Sequence, residues 1–357
     1  MIAGLSRLQQ ATLGAILLLA VLAGVGRYAP GVPTLVAFGL ATLALAGMAW
    51  IVSFSTEQVG QRFGPAVTGF LQSTLGNLPE FFVVLFALGS GQLVVAQTSI
   101  LGSILVNALL VLGLVLVAGA RAAGDGVMRF GVRLPNDTAT LLLVATFIIV
   151  LIGLSGSASD AASHHVRAIS TIGAVVLLGV YGAWVLPYLR SDRAAAGEER
   201  REEEPRVPLA LSVGLLTVGG VASAFVSDWF VHALQPTITQ LHLSQSFAGL
   251  VIVAIAGNAV ENVTGIVLAA KGQADLAISV VKNSVAQIAA FLFPLLVLVS
   301  LLFSTSLTFA LAPVYVGALV ATALLIWQIT SDGEATAFEG WALVGTFVIL
   351  GTVAFYE

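Results

Sequence analysis

Residues 76–80 read GNLPE, and residues 257–261 read GNAVE. Both strings follow the pattern G-N-x-x-E, both lie inside long apolar stretches, and they begin 181 positions apart in a chain of 357 residues. A carboxylate in the middle of a membrane helix costs about 3 kcal/mol or more, so such residues mark functional sites. Two of them at corresponding positions of two halves indicate a duplicated transporter with an ion site between its repeats.

The composition indicates an integral membrane protein. Apolar residues make up 58% of the chain and charged residues 9%, whereas an ordinary soluble domain carries about 25% charged residues. Apolar stretches of about 20 residues recur along the whole length, which predicts helices rather than barrel strands. The chain has no cysteine, and none of its four histidines lies in an H-E-x-x-H arrangement, so the sequence offers neither a thiolate metal site nor that zinc motif.

We predict an all-α, polytopic membrane fold with about eleven spanning helices. The spans are expected at residues 9–27, 34–54, 65–89, 93–119, 137–155, 167–189, 208–232, 246–270, 274–303, 308–329 and 338–356. One N-terminal helix is extra, and the other ten form two five-helix repeats. Because each repeat holds an odd number of spans, the second is inverted relative to the first. The predicted segments are 1–33 for the extra helix, 34–190 for the first repeat, 191–207 for a charged cytoplasmic linker and 208–357 for the second repeat.

Polar residues outside the two strings support the duplication. At the same offset of 181, Ser103 aligns with Ser284, and Asn107 aligns with the residue next to Gln287. In each half, a span that carries G-N-x-x-E is followed by a second span with polar side chains.

The distribution of positive charge predicts the orientation. With the N-terminus inside, eleven of the fourteen lysines and arginines lie in cytoplasmic segments, and only Arg27 and Arg167 lie on the opposite side. This positive-inside bias favours a cytoplasmic N-terminus and an external C-terminus. Short loops and the lack of an organelle signal favour the cell (inner) membrane of a bacterial-type cell.

The one densely charged stretch, residues 191–206, contains six acidic residues and four arginines. One interpretation is a solvated linker between the halves. The other is a cytoplasmic patch that attracts and concentrates cations.

The residues of the two strings suit a cation. Glu80 and Glu261 supply negative charge and hard oxygen ligands, and Asn77 and Asn258, three residues earlier, lie on the same helix face and add amide oxygens. Ca²⁺ takes six to eight oxygen ligands. The glycines and the proline of these strings favour interrupted helices, which free backbone carbonyls where they line a cavity.

The same carboxylates carry protons. Burial and a neighbouring carboxylate favour protonation, so two glutamates that share a site titrate as a pair. Protonation and metal binding then exclude each other, which is the chemistry of an antiporter without any covalent step. The sequence therefore predicts Ca²⁺ and protons as substrates and the lipid bilayer as the surroundings, with no cofactor and no nucleic acid. It does not define the oligomeric state.

Longer motifs around both strings are similar to those of a known family. The first runs from Ser55-Thr56-Glu57 through GPAVTGFLQSTLGNLPEFFVVLFAL at 64–88, AQTS at 96–99 and LGSILVNALLVLG at 101–113. The second comprises IVAIAGNAVENVTGIV at 252–267 and SVAQIAAFLFPL at 284–295. On these motifs the chain resembles the Ca²⁺/H⁺ exchanger (CAX) branch of the cation/Ca²⁺ exchanger superfamily.

The resemblance implies Ca²⁺ efflux driven by inward protons, with alternating access around a midplane site. It makes Glu80 and Glu261 paired ligands and proton carriers, supported by Asn77 and Asn258. It also implies an ion path whose residues are Gln97, Ser103, Asn107, Ser284 and Gln287. Glu57 matches an acidic position of the family near the cytoplasmic entry, and a solvated loop residue is the alternative.

Three features depart from the family pattern. Leu78-Pro79 stands where the family usually reads Ala-Thr, and Asn262 replaces a usual histidine, which removes a proton-linked group. Lys282 stands where the family has an apolar residue. It is interpreted as an internal salt bridge to Glu80 or Glu261, as a neutral buried amine, or as a side chain that reaches an interface. A lysine at the site lowers its net charge and favours a monovalent cation, so exchange of Na⁺, K⁺ or another divalent cation is the alternative function.

Other classes fit less well. Asp228, beside Ser227, is a further candidate modulator or an interfacial residue. The aspartates near span ends lack the paired context of an intramembrane protease, so an enzyme is not expected. A passive channel also uses carboxylates and carbonyls, but two repeats with midplane glutamates favour a carrier.

Overall fold

The computed structural model describes residues 5–60, 62, 71, 75–195 and 207–357, and for residues 187–195 and 261 it describes the backbone only. The chain forms two compact units, each assembled from two separate segments. The first unit comprises Met1–Phe86 and Gly182–Leu243, and the second comprises Ala87–Tyr181 and Ser244–Glu357.

Helices dominate the described part of the chain. In chain order they are α1 (Arg7–Tyr28), α2 (Thr34–Gly60), α3 (Leu78–Gly89), α4 (Leu93–Leu105), α5 (Leu112–Ala122), α6 (Arg133–Ala158), α7 (Val166–Ala195), α8 (Leu209–Leu241), α9 (Gln245–Phe247), α10 (Ala254–Gly257), α11 (Ala259–Ala270), α12 (Ala274–Gln287), α13 (Phe293–Ser300), α14 (Pro313–Thr330) and α15 (Ala337–Tyr356). Three further segments are wound as π-helix, Val106–Val111, Ala248–Val253 and Ile288–Leu292, and Ala161–His165 forms a 3₁₀ turn.

The lengths and the apolar character of these helices support a membrane-spanning fold. Within the described ranges, nine helical stretches are long and apolar enough to cross a bilayer. A tenth is bent by 59° between Gln245–Gly257 and Asn262–Ala270. The predicted all-α polytopic fold is confirmed, whereas the count of eleven spans stays a prediction. Part of the expected span 65–89 lies outside the described residues, and the helix described within it is the 12-residue α3.

In the first unit, α2 packs along α8 and α1 packs against α2. Ala44, Leu45 and Met48 of α2 are at most 1% exposed and form the centre of this unit. Small residues allow the close approach, because a Cβ on Gly219 of α8 would stand 2.8 Å from the side chain of Ile51. The helices predicted at residues 34–54 and 208–232 are therefore both long, and they pack against each other.

In the second unit, the continuous stretch Leu93–Ala122 is the most buried helix of the described chain. It lies against the π-helical segment Ala248–Val253, and α5 contacts α15. A Cβ at Gly102 would overlap the carbonyl group of Leu250, so only glycine permits this backbone contact.

A short antiparallel ribbon, β1 (Val127–Arg129) with β2 (Glu334–Thr336), was not predicted from the sequence. Arg129 forms ion pairs with Asp125 at 2.6 Å and with Glu334 at 3.1 Å. The hydrogen bond from Arg129 lowers the pKa of Asp125. Asp275, in the first turn of α12, accepts a hydrogen bond from the Gly131 N–H at 2.7 Å, which joins the start of that helix to the residues after β1.

Candidate functional site

The two G-N-x-x-E strings adopt the same local backbone structure. In each string the asparagine stands immediately before a 12-residue helix, α3 after Asn77 and α11 after Asn258. The backbone carbonyl of Asn77 accepts from the N–H of Phe81 at 2.9 Å, and that of Asn258 accepts from the N–H of Asn262 at 3.0 Å. The two strings therefore share a local backbone conformation as well as their residue types.

The correspondence continues beyond the strings. Gly91 after α3 has φ +72° and Gly272 after α11 has φ +76°. Each is followed by a glutamine, Gln92 with φ −87° and Gln273 with φ −88°, immediately before the next helix begins. The first residues of α3, α4 and α5 precede those of α11, α12 and α13 by the same 181 positions. This repetition supports the predicted duplication, while the inversion and the repeat boundaries stay predictions.

The two glutamates occupy the first turn of these short helices. Glu80 is the third residue of α3 and is 7% exposed. Glu261 is the third residue of α11, and its side chain is outside the described part of the structure. The N-terminus of a helix carries a partial positive charge, which favours an ionised carboxylate there. The distance between the two carboxyl groups, which the sequence predicts to be short, is therefore not given by the structure.

Asn258 lies at the break between α10 and α11, with φ −94° and ψ 11°. Its Nδ2 donates to Ser103 Oγ and to the Ala254 carbonyl, both at 2.9 Å. Its Oδ1 accepts from Asn107 Nδ2 at 2.8 Å. Ser103, Asn107 and Asn258 are each at most 3% exposed. Three residues predicted for the ligand set and the ion path thus form one buried polar cluster in the second unit.

Asn107 offers an oxygen atom to this cluster. Its Nδ2 is used by Asn258 and by the Ser103 carbonyl at 2.9 Å, while its Oδ1 is buried without a protein donor among the described residues. Asn107 lies in the π-helical segment Val106–Val111, and such segments are common at functional sites. The sequence predicted Asn107 as part of the ion path but gave no sign of the π-helical winding.

The remaining predicted path residues lie at different depths of the second unit. Ser284 and Gln287, on α12, are 2% and 6% exposed. Gln97 on α4 is half-buried, and its Nε2 donates to the Ala310 carbonyl at 3.0 Å. Gln97 therefore fixes the loop at Ala310 beside α4. This hydrogen bond does not connect Gln97 to the cluster residues Ser103, Asn107 and Asn258.

Lys282 is enclosed in the second unit. It is 1% exposed, so its side chain does not extend to a surface as one interpretation required. Its Nζ donates to Thr330 Oγ1 at 3.1 Å, and Thr330 donates in turn to the Ile326 carbonyl at 2.6 Å. Among the described side chains it forms no ion pair. Sequence analysis missed Thr330, because nothing in the sequence signals a contact over 48 positions.

The other candidate modulators are dispersed. Glu57, in the last turn of α2, is exposed, and Asp228 on α8 is half-buried. Asn262 on α11 is half-buried, and its Oδ1 is buried without a protein donor among the described residues. Beside Asp228, Ser227 Oγ donates to the Pro79 carbonyl at 3.2 Å, which ties α8 to the first turn of α3. That contact gives Ser227 a positioning role that its sequence context did not reveal.

No group of three histidine or acidic side chains that could hold a metal ion occurs among the described residues, a set that lacks the Glu261 side chain. The candidate donors that the structure does describe are amide, hydroxyl and carbonyl oxygens together with Glu80. Such oxygens are hard ligands of the kind that Ca²⁺ prefers.

Fold and site together define a polytopic helical membrane protein with duplicated helix breaks that carry acidic residues, which is an architecture of secondary transporters. The model of the sodium/calcium exchanger protein family matches residues 33–188 and 211–356. The chain belongs to this family.

Characterised relatives extend over most of the chain. It is 33% identical over 332 residues to the "Vacuolar calcium ion transporter" of Schizosaccharomyces pombe, covering 89% of this chain and 79% of the relative. It is 30% identical to the "Ca(2+)/H(+) antiporter ChaA" of Bacillus subtilis, covering 89% and 91%. The crystal structure of the Ca²⁺/H⁺ antiporter protein YfkE matches with a TM-score of 0.79 at 25% identity, covering 99% of this chain and all of that chain.

Proposed function

We propose that this chain is a secondary active antiporter that exports Ca²⁺ in exchange for protons by alternating access. The observation that carries the proposal is the repeated helix break, with an acidic residue in the first turn of both short helices. The relatives named for calcium transport and for Ca²⁺/H⁺ exchange agree with it.

The ion is held by oxygen atoms contributed by both repeats. Glu80 and Glu261 supply the negative charge, and Asn77 and Asn258 lie three residues before them. In the second unit, Asn258 is fixed by its hydrogen bonds to Ser103 and Asn107, so binding requires little further ordering of these side chains. Asn107 Oδ1 adds a buried amide oxygen.

Protons compete with the cation for the same carboxylates. Ca²⁺ needs them ionised, whereas protonation removes the charge that holds the metal. Two interacting carboxyl groups titrate as a pair, so the site carries either metal or protons as it changes between the two sides of the membrane. The step is an exchange of ligands in which no covalent bond other than O–H forms or breaks.

The charge distribution favours one orientation of the chain in the membrane. Eleven of fourteen basic residues are assigned to the cytoplasmic side when the N-terminus is inside and the C-terminus outside. Two inverted five-helix repeats, residues 34–190 and 208–357, then meet at the breaks, with residues 191–207 as a cytoplasmic linker and residues 1–33 as the extra helix. We place the protein in the cell (inner) membrane.

One observation favours a second candidate, a related exchanger for Na⁺, K⁺ or another divalent cation. Lys282 is a fully enclosed amine on α12, two residues before Ser284. A positive charge inside the protein weakens the binding of a divalent cation more than that of a monovalent one.

Transport into everted vesicles separates the two candidates. Vesicles that contain the chain and are made acidic inside should accumulate radioactive Ca²⁺, and a protonophore should release it. Vesicles without the chain provide the control. Accumulation of radioactive Na⁺ or K⁺ with none of Ca²⁺ under the same gradient contradicts Ca²⁺ export and supports the second candidate.

The absence of native cysteine makes the orientation directly testable. Ala161→Cys and Ala122→Cys each place one thiol at an exposed position. A membrane-impermeant maleimide should label residue 161 in intact cells and residue 122 only after permeabilisation. The reverse pattern contradicts the proposed orientation but leaves the chemistry of exchange unaffected.

A further inference from the structure

A cavity of about 160 Å³ lies inside the first unit, among α1, the start of α2 and α8. None of its lining residues belongs to the cation site proposed above. Most of its wall is formed by small apolar side chains, but Arg27, Trp229 and His232 also line it. Among the described residues of its lining, none is acidic.

Two buried hydrogen-bond donors at this cavity have no acceptor within the described part of the protein. Both Arg27 Nε and Trp229 Nε1 are buried and lack a partner among the described residues. A buried donor without an acceptor is costly, and the cost is greater when the donor is charged. Asp228 is adjacent to Trp229 in the sequence, but it does not line the cavity, and it forms no ion pair with Arg27 among the described side chains.

Aromatic contacts hold these donors in place. The guanidinium carbon of Arg27 lies 5.1 Å from the ring centroid of Tyr28. The Tyr28 ring meets the Trp229 ring edge to face, with centroids 6.2 Å apart. Arg27 and Trp229 are thereby ordered before any ligand binds, which lowers the entropic cost of binding.

The surroundings favour negative charge. Thr34, the first residue of the 27-residue helix α2, lines the cavity, and a helix N-terminus attracts anions. Arg27 is also one of only two basic residues on the predicted outer side, so it opposes the positive-inside bias. A cavity of about 160 Å³ has room for several water-sized groups of about 30 Å³ each.

From this geometry we propose that the cavity binds a phosphate group, with the Arg27 guanidinium and the Trp229 indole N–H as its donors. Arginine binds phosphate oxygens through charge-assisted, often bidentate hydrogen bonds. The phosphate belongs either to an anionic phospholipid or to a soluble anion. The site links the extra helix α1 to α2 and α8, and it is independent of the cation exchange proposed above.

Ligand-dependent thermal unfolding of the purified full chain in detergent tests the proposal. A ligand that binds the folded state raises the unfolding temperature as its concentration rises. Short-chain phosphatidylglycerol is compared with a diacylglycerol of the same chain length, which lacks the phosphate, and sodium phosphate with sodium chloride at equal ionic strength. Stabilisation by phosphatidylglycerol alone identifies a lipid headgroup, and stabilisation by phosphate as well identifies a site open to soluble anions.

The variants assign the effect to the cavity. Arg27→Gln should weaken apparent phosphate binding about tenfold, because it removes a charged donor. Trp229→Phe keeps an aromatic ring without the N–H and should weaken binding about threefold. Arg167→Gln removes the other outer arginine, which is exposed, and should leave binding unchanged.

The proposal is overturned if neither phosphate source stabilises the protein beyond its control, or if Arg167→Gln weakens binding as much as Arg27→Gln. If Arg27→Gln fails to fold, Trp229→Phe decides the matter, because a loss of packing alone lowers the unfolding temperature without changing its dependence on ligand concentration. Vesicle transport is measured separately, so failure here does not count against Ca²⁺ export.

Discussion

The segment Leu78–Leu105 and its counterpart, residues 259–286, have the same succession of backbone elements but differ in several side chains. Both contain a 12-residue helix, a turn through a glycine of positive φ, and a second helix. The first has Phe81 and Leu101 where the second has Asn262 and Lys282. The comparison teaches that the duplication preserves the helix break, its glutamate and the glycine turn, while some neighbouring side chains have changed from apolar to polar.

The largest expected effect comes from removing either repeated carboxylate. Glu80→Gln and Glu261→Gln should each reduce proton-driven Ca²⁺ uptake to that of empty vesicles, because a neutral amide cannot balance the ion or carry the proton. Measured uptake of the two variants compares the repeats directly. Asp137→Asn, a half-buried carboxylate on α6, is the matched control and should retain uptake. Activity kept by one glutamate variant alone would show that the repeats are not equivalent.

The next effect concerns the polar cluster of the second unit. Asn258→Ala removes the bonds to Ser103 and Asn107 and leaves buried polar atoms without partners, so it should lower the free energy of unfolding by about 1–3 kcal/mol. Denaturant titration in detergent measures this loss. Asn283→Ala removes one 3.4 Å bond to Ser279 from the half-buried side of α12 and should cost less. Equal losses would contradict a special role for the cluster.

Lys282→Leu gives the second repeat the residue that the first repeat has at the same position. If the enclosed amine is protonated, its removal should raise the apparent affinity for Ca²⁺ relative to Na⁺ about three- to tenfold. Competition between the two ions during vesicle uptake measures the ratio. Lys271→Leu removes an exposed lysine at the end of α11 and serves as control. An unchanged ratio for Lys282→Leu would indicate that Lys282 contributes to packing, through its contact with Thr330, and not to ion selectivity.

The smallest effect concerns the two glycine turns. Gly91→Ala and Gly272→Ala should each cost about 1 kcal/mol of stability, because alanine resists positive φ while no neighbouring atom obstructs the new methyl group. Urea titrations of both variants test whether the turns are equivalent. Gly124→Ala, at an open position without positive φ, should be nearly neutral. A clear difference between the two turns would limit the structural repeat to the strings themselves.

Sequence patterns predicted the features that depend on local residues. Long apolar stretches located the helices, and the G-N-x-x-E strings located both breaks and the first-turn glutamates. The contacts between distant segments were not predictable in this way. Asn107 meets Asn258 across 151 positions, and Lys282 meets Thr330 across 48. The ribbon pairs Arg129 with Glu334, 205 positions away. Such pairings depend on tertiary packing, which leaves no periodic signal in the sequence.

If the proposed cation site lies at the starts of the two short helices, the length of these helices determines its depth in the bilayer. A helix of 12 residues extends about 18 Å at 1.5 Å per residue, whereas the hydrocarbon layer of a bilayer is about 30 Å thick. With its far end at one boundary, each helix begins slightly beyond the midplane. An ion held there is almost equally far from both aqueous phases, so a small rocking movement suffices to change the side from which it is reached.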